Sequence, residues 1–304
     1  MSDEILCIGE ILWDALPDGL FLGGAPFNVA CHLQALGRDV AFVSRVGDDR
    51  LGQEALRRMQ IRGLNTGLMH IDDSLPTGFV QVEGGEASEP EYDILEPAAW
   101  DAITYTDTLG QHAEHAEALV HGSLAQRAPI SRETIQRLCE AEVLHVFDVN
   151  LRPPYVDRTV IESSLRAADV VKLNDAELWR MREWFGLPEN PADAMADLAN
   201  AFGCQTVCVT WGSEGARLWA DGQCWHHPGY AVEIADTVGA GDAFLAALLT
   251  GLLAGWSGEA LLDLANRLGA YVASRAGAFP SYDFDGPDEL LHLDLGDRKQ
   301  SETE

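Results

Sequence analysis

The chain has 304 residues, 47% of them apolar, the composition of a folded globular protein with room for one large α/β domain or two modest ones. The formal net charge is −29, and lysine occurs only at positions 172 and 299, which excludes nucleic-acid binding through a basic patch. The most apolar stretch, residues 243–258, is shorter than a membrane span and broken by glycines, so it reads as a buried core helix.

Along the chain, residues 1–4 are acidic and lack the basic start of a signal peptide, and residues 4–9 form an apolar run typical of a buried strand. Residues 11–22 and 77–82 read as half-buried strands standing outside the strand–helix alternation, and predict a small antiparallel sheet. Residues 84–97, with Pro90 and Pro97, would be its irregular edge. Residues 26–36 and 51–63 look helical, on either side of a strand at 39–46. Further buried strands are expected at 118–121, 143–148, 169–173 and 205–210, with helices at 132–141, 160–168, 175–185 and 191–202. This alternation predicts a mainly parallel sheet covered by helices on both faces. Ser257 suits the N-cap of a helix over 258–276, and the polar residues after Asp294 are expected to fray. The six cysteines (7, 31, 139, 204, 208, 224) lie in apolar segments without zinc-site spacing despite His226 and His227 nearby. They read as reduced core thiols, and the expected compartment is the cytoplasm.

The richest local signal is Asp236-Thr-Val-Gly-Ala-Gly-Asp-Ala-Phe244. Gly239 and Gly241 let the backbone turn N–H groups outward just where an apolar helix begins, and a helix start favours phosphate. Asp242 falls in that first turn. A carboxylate there either decorates the helix dipole or takes a proton from a hydroxyl that attacks the phosphate, and the segment alone leaves both open.

Other motifs fall in a recognisable order. Gly23-Gly-Ala-Pro-Phe-Asn28, Val46-Gly-Asp-Asp-Arg-Leu-Gly52, Asn174-Asp-Ala-Glu177, Thr210-Trp-Gly-Ser-Glu-Gly215 and the 236–242 segment together resemble the PfkB (ribokinase-like) carbohydrate kinases over residues 4–290. Asp148-Val-Asn-Leu-Arg-Pro-Pro-Tyr155, with Pro90-Glu-Tyr92 and Pro97-Ala-Ala-Trp100, looks most like the bacterial fructokinases. The resemblance implies a single domain over 1–304 with a three-layer α/β/α ribokinase-like fold. It also implies a β-sheet lid from about 11–22 and 70–103, a flexible tail at 294–304 and a homodimer through the lid. The implied activity is transfer of the γ-phosphate of ATP to a sugar hydroxyl, D-fructose to fructose 6-phosphate. No membrane or nucleic-acid partner is implied.

The resemblance also assigns roles. Asp242 would be the general base, with the amides of Gly239, Ala240 and Gly241 as an anion hole. Asp14, Gly23, Gly24, Asn28 and Arg152 would bind the sugar, with Phe79, Gln81 and Trp13 as lid residues. Read without it, Asp14 is a turn residue, Asn28 an ordinary first-turn residue, Arg152 an ion-pair partner and Trp13 plain packing. Lys172, Asn174, Thr210, Gly212, Gly215 and Asn266 would line the nucleotide site. Glu177, with Asn174, would hold Mg²⁺ through water, though Asn-x-x-Glu is equally a helix cap. Asp236, Val238, Val272, Arg275, Gly277 and Ser281 match the places of a K⁺ site. Their plain reading is a helix end capped at Gly277.

A P-loop phosphotransferase is excluded by the lack of any Gly-Lys-Ser/Thr, and a dinucleotide dehydrogenase by the missing third glycine after Gly241. 2-Keto-3-deoxygluconate, ribose and nucleoside kinases of the same family remain rivals, as does a non-catalytic sugar sensor. The acidic surface fits a salty or crowded cytoplasm, because salt screens self-repulsion. The unfolding midpoint is therefore expected to rise between low and molar salt, and an unchanged midpoint would dismiss that idea.

Overall fold

The computed structural model describes residues 3–17, 19–83, 91–295 and 297–299. Its apolar runs become strands in the expected order: β1 (Glu4–Ile8), β2 (Leu12–Leu16), β3 (Gly19–Gly23), then helix α1 (Ala25–Ala35) and β4 (Asp39–Gly47). Helix α2 (Arg50–Ile61) starts at Asp49, whose carboxylate accepts the Gly52 N–H at 2.8 Å. After β5 (Met69–Asp72), β6 (Gly78–Glu83) and β7 (Glu91–Ile94), α3 (Asp107–His115) leads to β8 (Ala118–Gly122). The alternation then runs through α4 (Pro129–Leu138), β9 (Leu144–Asp148), α5 (Arg158–Ala167), β10 (Val170–Asn174), α6 (Asp175–Phe185), α7 (Pro191–Phe202) and β11 (Thr206–Thr210). A hairpin, β12 (Ala216–Ala220) and β13 (Gln223–His227), precedes α8 (Ala240–Leu253), α9 (Gly258–Ala273) and α10 (Gly286–His292).

Among the described residues the main sheet has the order β13-β12-β11-β10-β9-β8-β1-β4-β5, parallel from β5 to β11 with an antiparallel hairpin at one edge. Both faces are covered, so the strands are mostly apolar on both sides, with a few buried polar residues such as Asp148 and Lys172 toward their C-terminal ends. Ile5 and Cys7 pack with α1, α8 and α9, while their neighbours Leu6 and Ile8 pack with α3 and α4. Farther along the sheet Val171, Leu173, Val207 and Val209 pack with α5, α6 and α7. This is the three-layer ribokinase-like architecture the alternation and resemblance imply.

A second sheet has the order β3-β2-β6-β7. It is mixed rather than antiparallel: β2 and β6 run parallel, with Leu12 opposite Gly78 and Ala15 opposite Gln81. Its extent is also narrower than 11–22 plus 70–103. Residues 69–72 pair with β4 at the edge of the main sheet, and Ala98, Ala99, Trp100 and Ile103 are buried in the body. Of the irregular edge expected at 84–97, residues 91–94 are a strand and 84–90 lie outside the described residues.

Three smaller expectations also change. Ser257 precedes α9 without a side-chain capping bond, and that helix ends at Ala273. Cys224 is exposed on the edge strand β13 rather than a core thiol, while Cys7, Cys31, Cys204 and Cys208 are buried. Of the tail expected to fray, residues 297–299 are held by main-chain contacts. Ala231 N–H donates to Asp297 O and Lys299 N–H to Gly229 O, each at 3.1 Å, and Tyr230 bridges Arg298 antiparallel. Its main chain finds partners that its polar sequence does not advertise.

Trp100 shows why residues 98–103 belong to the body. Its ring is fully buried, with the Arg127 guanidinium 4.0 Å from the ring centroid and itself paired to Asp101 at 2.8 Å. Trp100→Ala is expected to cost about 3–5 kcal/mol in urea unfolding. A loss below about 1 kcal/mol would mean this corner is peripheral to the core.

Candidate active site

Helix α8 begins at Gly239, whose φ of +77° suits glycine and whose missing Cβ would sit 2.6 Å from the Ala278 carbonyl. The next residues, Ala240 and Gly241, help line a cavity of about 460 Å³. The same cavity is lined by Thr210, Gly212, Gly215 and Asn266, so all four of these nucleotide candidates meet the helix start. Gly215 has φ +87°, and any Cβ there would run into the His227 carbonyl. Asn266 is buried and donates to Leu262 O at 2.7 Å. Of the amides expected to form an anion hole, that of Ala240 already donates to Thr237 O at 3.3 Å, a long bond that a ligand would have to replace.

Asp242, in the first turn of the helix, is not among the residues lining that cavity. Asn28 Nδ2 donates to Asp242 Oδ2 at 2.8 Å, joining α8 to α1 across 214 residues of sequence. Helix α1 is entered through Gly24, φ +114°, where a side chain would strike the Glu10 carbonyl. Gly23 lies beside Asp14: a Cβ on it would come within 2.8 Å of Asp14 Oδ2. Arg152, exposed beyond β9, makes no ion pair within 4.0 Å among the described residues but acts electrostatically on Asp14, Glu10 and Asp242. Asp14, Gly23, Gly24, Asn28 and Arg152 thus gather near Asp242, and none of them lines the cavity.

Charge explains the titration of this cluster. Burial pushes the Asp242 carboxyl up to about 6, against the pull of Lys172, with Asp148 adding to the rise and Asn28 and Arg152 opposing it. Burial also raises Asp14 to about 6, partly countered by Arg152. Lys172 is buried and forms an ion pair with Asp148 at 3.0 and 3.2 Å. Burial pulls its pKa down, but Asp148, Glu177 and Asp242 more than compensate, so it stays charged. Its Nζ lies 3.3 Å from where a Gly241 Cβ would be, beneath the first turn of α8 rather than among the residues lining the cavity.

Asn174 and Glu177 form a reciprocal cap on α6: Glu177 N–H donates to Asn174 Oδ1, and Asn174 N–H to Glu177 Oε2, both at 2.8 Å. Glu177 Oε1 also accepts Leu151 N–H at 2.7 Å. Each carboxylate oxygen therefore has one partner and retains a lone pair. That suits a hydrated Mg²⁺ reached through water better than direct coordination. Asp236 is braced similarly, accepting Val238 N–H at 3.0 Å and Gly277 N–H at 3.1 Å. This ties the loop before α8 to the segment after α9, where Arg275 and Ser281 lie, while Val272 is in the last turn of α9. Ser281 O accepts the Tyr271 hydroxyl at 3.1 Å, and Val238 is 48% exposed.

The lid candidates separate. Phe79 is half-buried and Gln81 exposed on β6, whereas Trp13 is buried, donates to Leu51 O at 3.1 Å and lies under Arg58. Trp13 is a packing residue. Sequence reasoning missed Glu10 and Asp148. Glu10 directly follows the Ile8-Gly9 end of β1, and its Oε2 is buried with no partner among the described residues. Burial raises its carboxyl to about 7, its own amide and Arg152 oppose the rise, and Asp242 adds to it. Its adjacency to a strand's C-terminal end was the signal available.

The likeness to known proteins is extensive. The pfkB family carbohydrate kinase description matches residues 19–283. The fructokinase of Escherichia coli is 33% identical over 299 residues, covering 91% of this chain and 95% of that relative. Among solved structures, an ATP complex of a sugar kinase from Pyrococcus horikoshii is 29% identical with a TM-score of 0.78, covering 96% and 98% of the two chains. A fructokinase with bound ATP from Xylella fastidiosa shares the fold at TM-score 0.82 and 24% identity, covering 97% and 98%. Among the described residues no helix is long and apolar enough to cross a membrane. The chain belongs to the PfkB family of carbohydrate kinases, phosphotransferases with an alcohol group as acceptor.

Proposed function

We propose that this kinase phosphorylates D-fructose at its primary C6 hydroxyl with ATP as donor, and that Asp242 is the general base. The observation that carries this reading is the position of Asp242 between the two halves of the site. It touches Asn28 on the proposed sugar side and lies in the first turn of the helix whose start lines the proposed nucleotide cavity. The E. coli fructokinase likeness supports the sugar.

In this mechanism Asp14, Arg152 and the backbone around Gly23 and Gly24 hold the sugar hydroxyls. The C6 oxygen attacks the γ-phosphorus, forming the new O–P bond as the bond to the β–γ bridging oxygen breaks, and ADP leaves. Asn28 occupies Asp242 Oδ2, so Oδ1 takes the hydroxyl proton. Amides of Gly239, Ala240 and Gly241 stabilise charge on the transferred group, and Thr210, Gly212, Gly215 and Asn266 hold the nucleotide. Lys172 acts from below, as a fixed positive charge under the helix start. Asn174 and Glu177 would hold, through water, a Mg²⁺ that would neutralise phosphate charge when bound with ATP. A K⁺ held by Asp236 and the carbonyls of Val238, Val272, Arg275 and Gly277, near Ser281, would stiffen the anion loop. Phe79 and Gln81 on the small sheet close over the sugar and exclude water. The exposed Leu20 and Phe21 on its edge strand β3 suit a homodimer formed through that sheet.

Transfer from ATP measured across a sugar panel is the decisive test, with fructose accepted and ribose and 2-keto-3-deoxygluconate refused. Binding of fructose without turnover would instead favour a sensor. Asp242→Asn is expected to lower kcat by roughly 10²–10⁴-fold with fructose affinity retained, the range for a lost general base. Full activity in that variant would refute the assignment. The base works only when ionised, so kcat/KM for fructose should fall as pH drops through about 6 and level off above it. A profile flat from pH 5 to 8 would contradict that role.

A further inference from the structure

The cavity assigned above to the nucleotide has one charged side chain among its described lining residues, and it comes from the end of the chain: Lys299. In a molecule carrying −29 and two lysines, a lone ammonium at this place needs a reason. Main-chain bonds put it there. Asp297 O and Lys299 N–H pair with Ala231 and Gly229 at 3.1 Å, and Arg298 bridges Tyr230, so residues 297–299 lie as a strap along the cavity wall. The wall is itself fixed, since the Tyr230 hydroxyl donates to Asp263, which is also held by Arg267 at 2.8 Å. From the strap the Lys299 Nζ reaches the Ser213 carbonyl. Ser213 lies in the short turn Gly212–Glu214 that follows β11, on the strand-end side of the sheet where ligands collect.

A carbonyl takes one of three ammonium protons and leaves the others for an acceptor in the cavity. The remaining lining is uncharged, whereas ATP has an uncharged adenosine and a strongly anionic triphosphate. We infer that the strap 297–299 completes the nucleotide site and that Lys299 contacts the triphosphate of ATP. This rests on the assignment of the cavity to ATP. It adds a positioning element outside the 19–283 family match, at a segment whose composition suggests a loose end.

The test uses the full chain and compares ATP with adenosine by calorimetry and by kinetics. Lys299→Met keeps the length and removes the charge, and should weaken ATP roughly five-fold, the size of one partly solvated charge contact. Adenosine affinity and KM for fructose should move less than twofold, Lys299→Arg should restore ATP binding, and molar salt should shrink the difference. Unchanged ATP affinity in Lys299→Met would overturn the inference, and so would equal weakening of ATP and adenosine, which would make Lys299 only part of the wall. If the unsubstituted protein bound no ATP, the cavity assignment itself would fall, a result visible before any substitution is made.

Discussion

The ion pair between Lys172 and Asp148 sits under the first turn of α8 with both side chains over nine-tenths buried, and the site depends on the balance it sets. Four carboxylates, of Glu10, Asp148, Glu177 and Asp242, crowd a region with two cations, Lys172 and Arg152. Without Lys172 the anions would repel one another and any phosphate brought to the helix start. Breaking such a buried pair leaves an uncompensated charge, which is far costlier than the pair is stabilising. The glycine at 241 follows from the same constraint, because its bare Cα leaves room for the ammonium.

A second linkage is mechanical. Tyr271 donates to Asp283 at 2.7 Å and packs edge-on against Tyr282 at 5.4 Å, while Tyr282 stacks on Phe284 at 4.6 Å and bonds His32 of α1. Burial lowers the His32 pKa to about 3, so this contact stays neutral across ordinary pH. The aromatic brace holds the segment carrying Ala278 against Gly239, and its other end is the helix that presents Asn28. Both partners of Asp242's surroundings, the anion turn and the amide on its carboxylate, are therefore positioned by one rigid cluster.

Much of this was legible in sequence because it depends on local signals. Buried strands declare themselves by apolar runs, Gly239 by its place just before an apolar helix, and Gly215 by its motif after a strand. The rest depends on contacts far apart in the chain. The parallel pairing of Leu12 with Gly78 has no local signature, since a half-buried strand looks alike in either direction. Trp100 sits in a stretch that resemblance assigns to the lid, yet its burial is set by Arg127 and Asp101. Glu10 was overlooked because one acid in a chain with 49 is unremarkable until its burial is known. Residues 297–299 carry no periodicity at all, and they are ordered by main-chain bonds together with the Lys299 bond to Ser213 O.

The scarcity of lysine has a practical outcome. Besides the chain's amino terminus, amine-directed reagents meet two targets, and Lys172 is shielded in the interior by Asp148. Lys299 alone is partly open to solvent. A dye, crosslinker or resin that couples to primary amines would thus attach at a nearly unique side chain. The 18 arginines that supply the remaining positive charge would be spared.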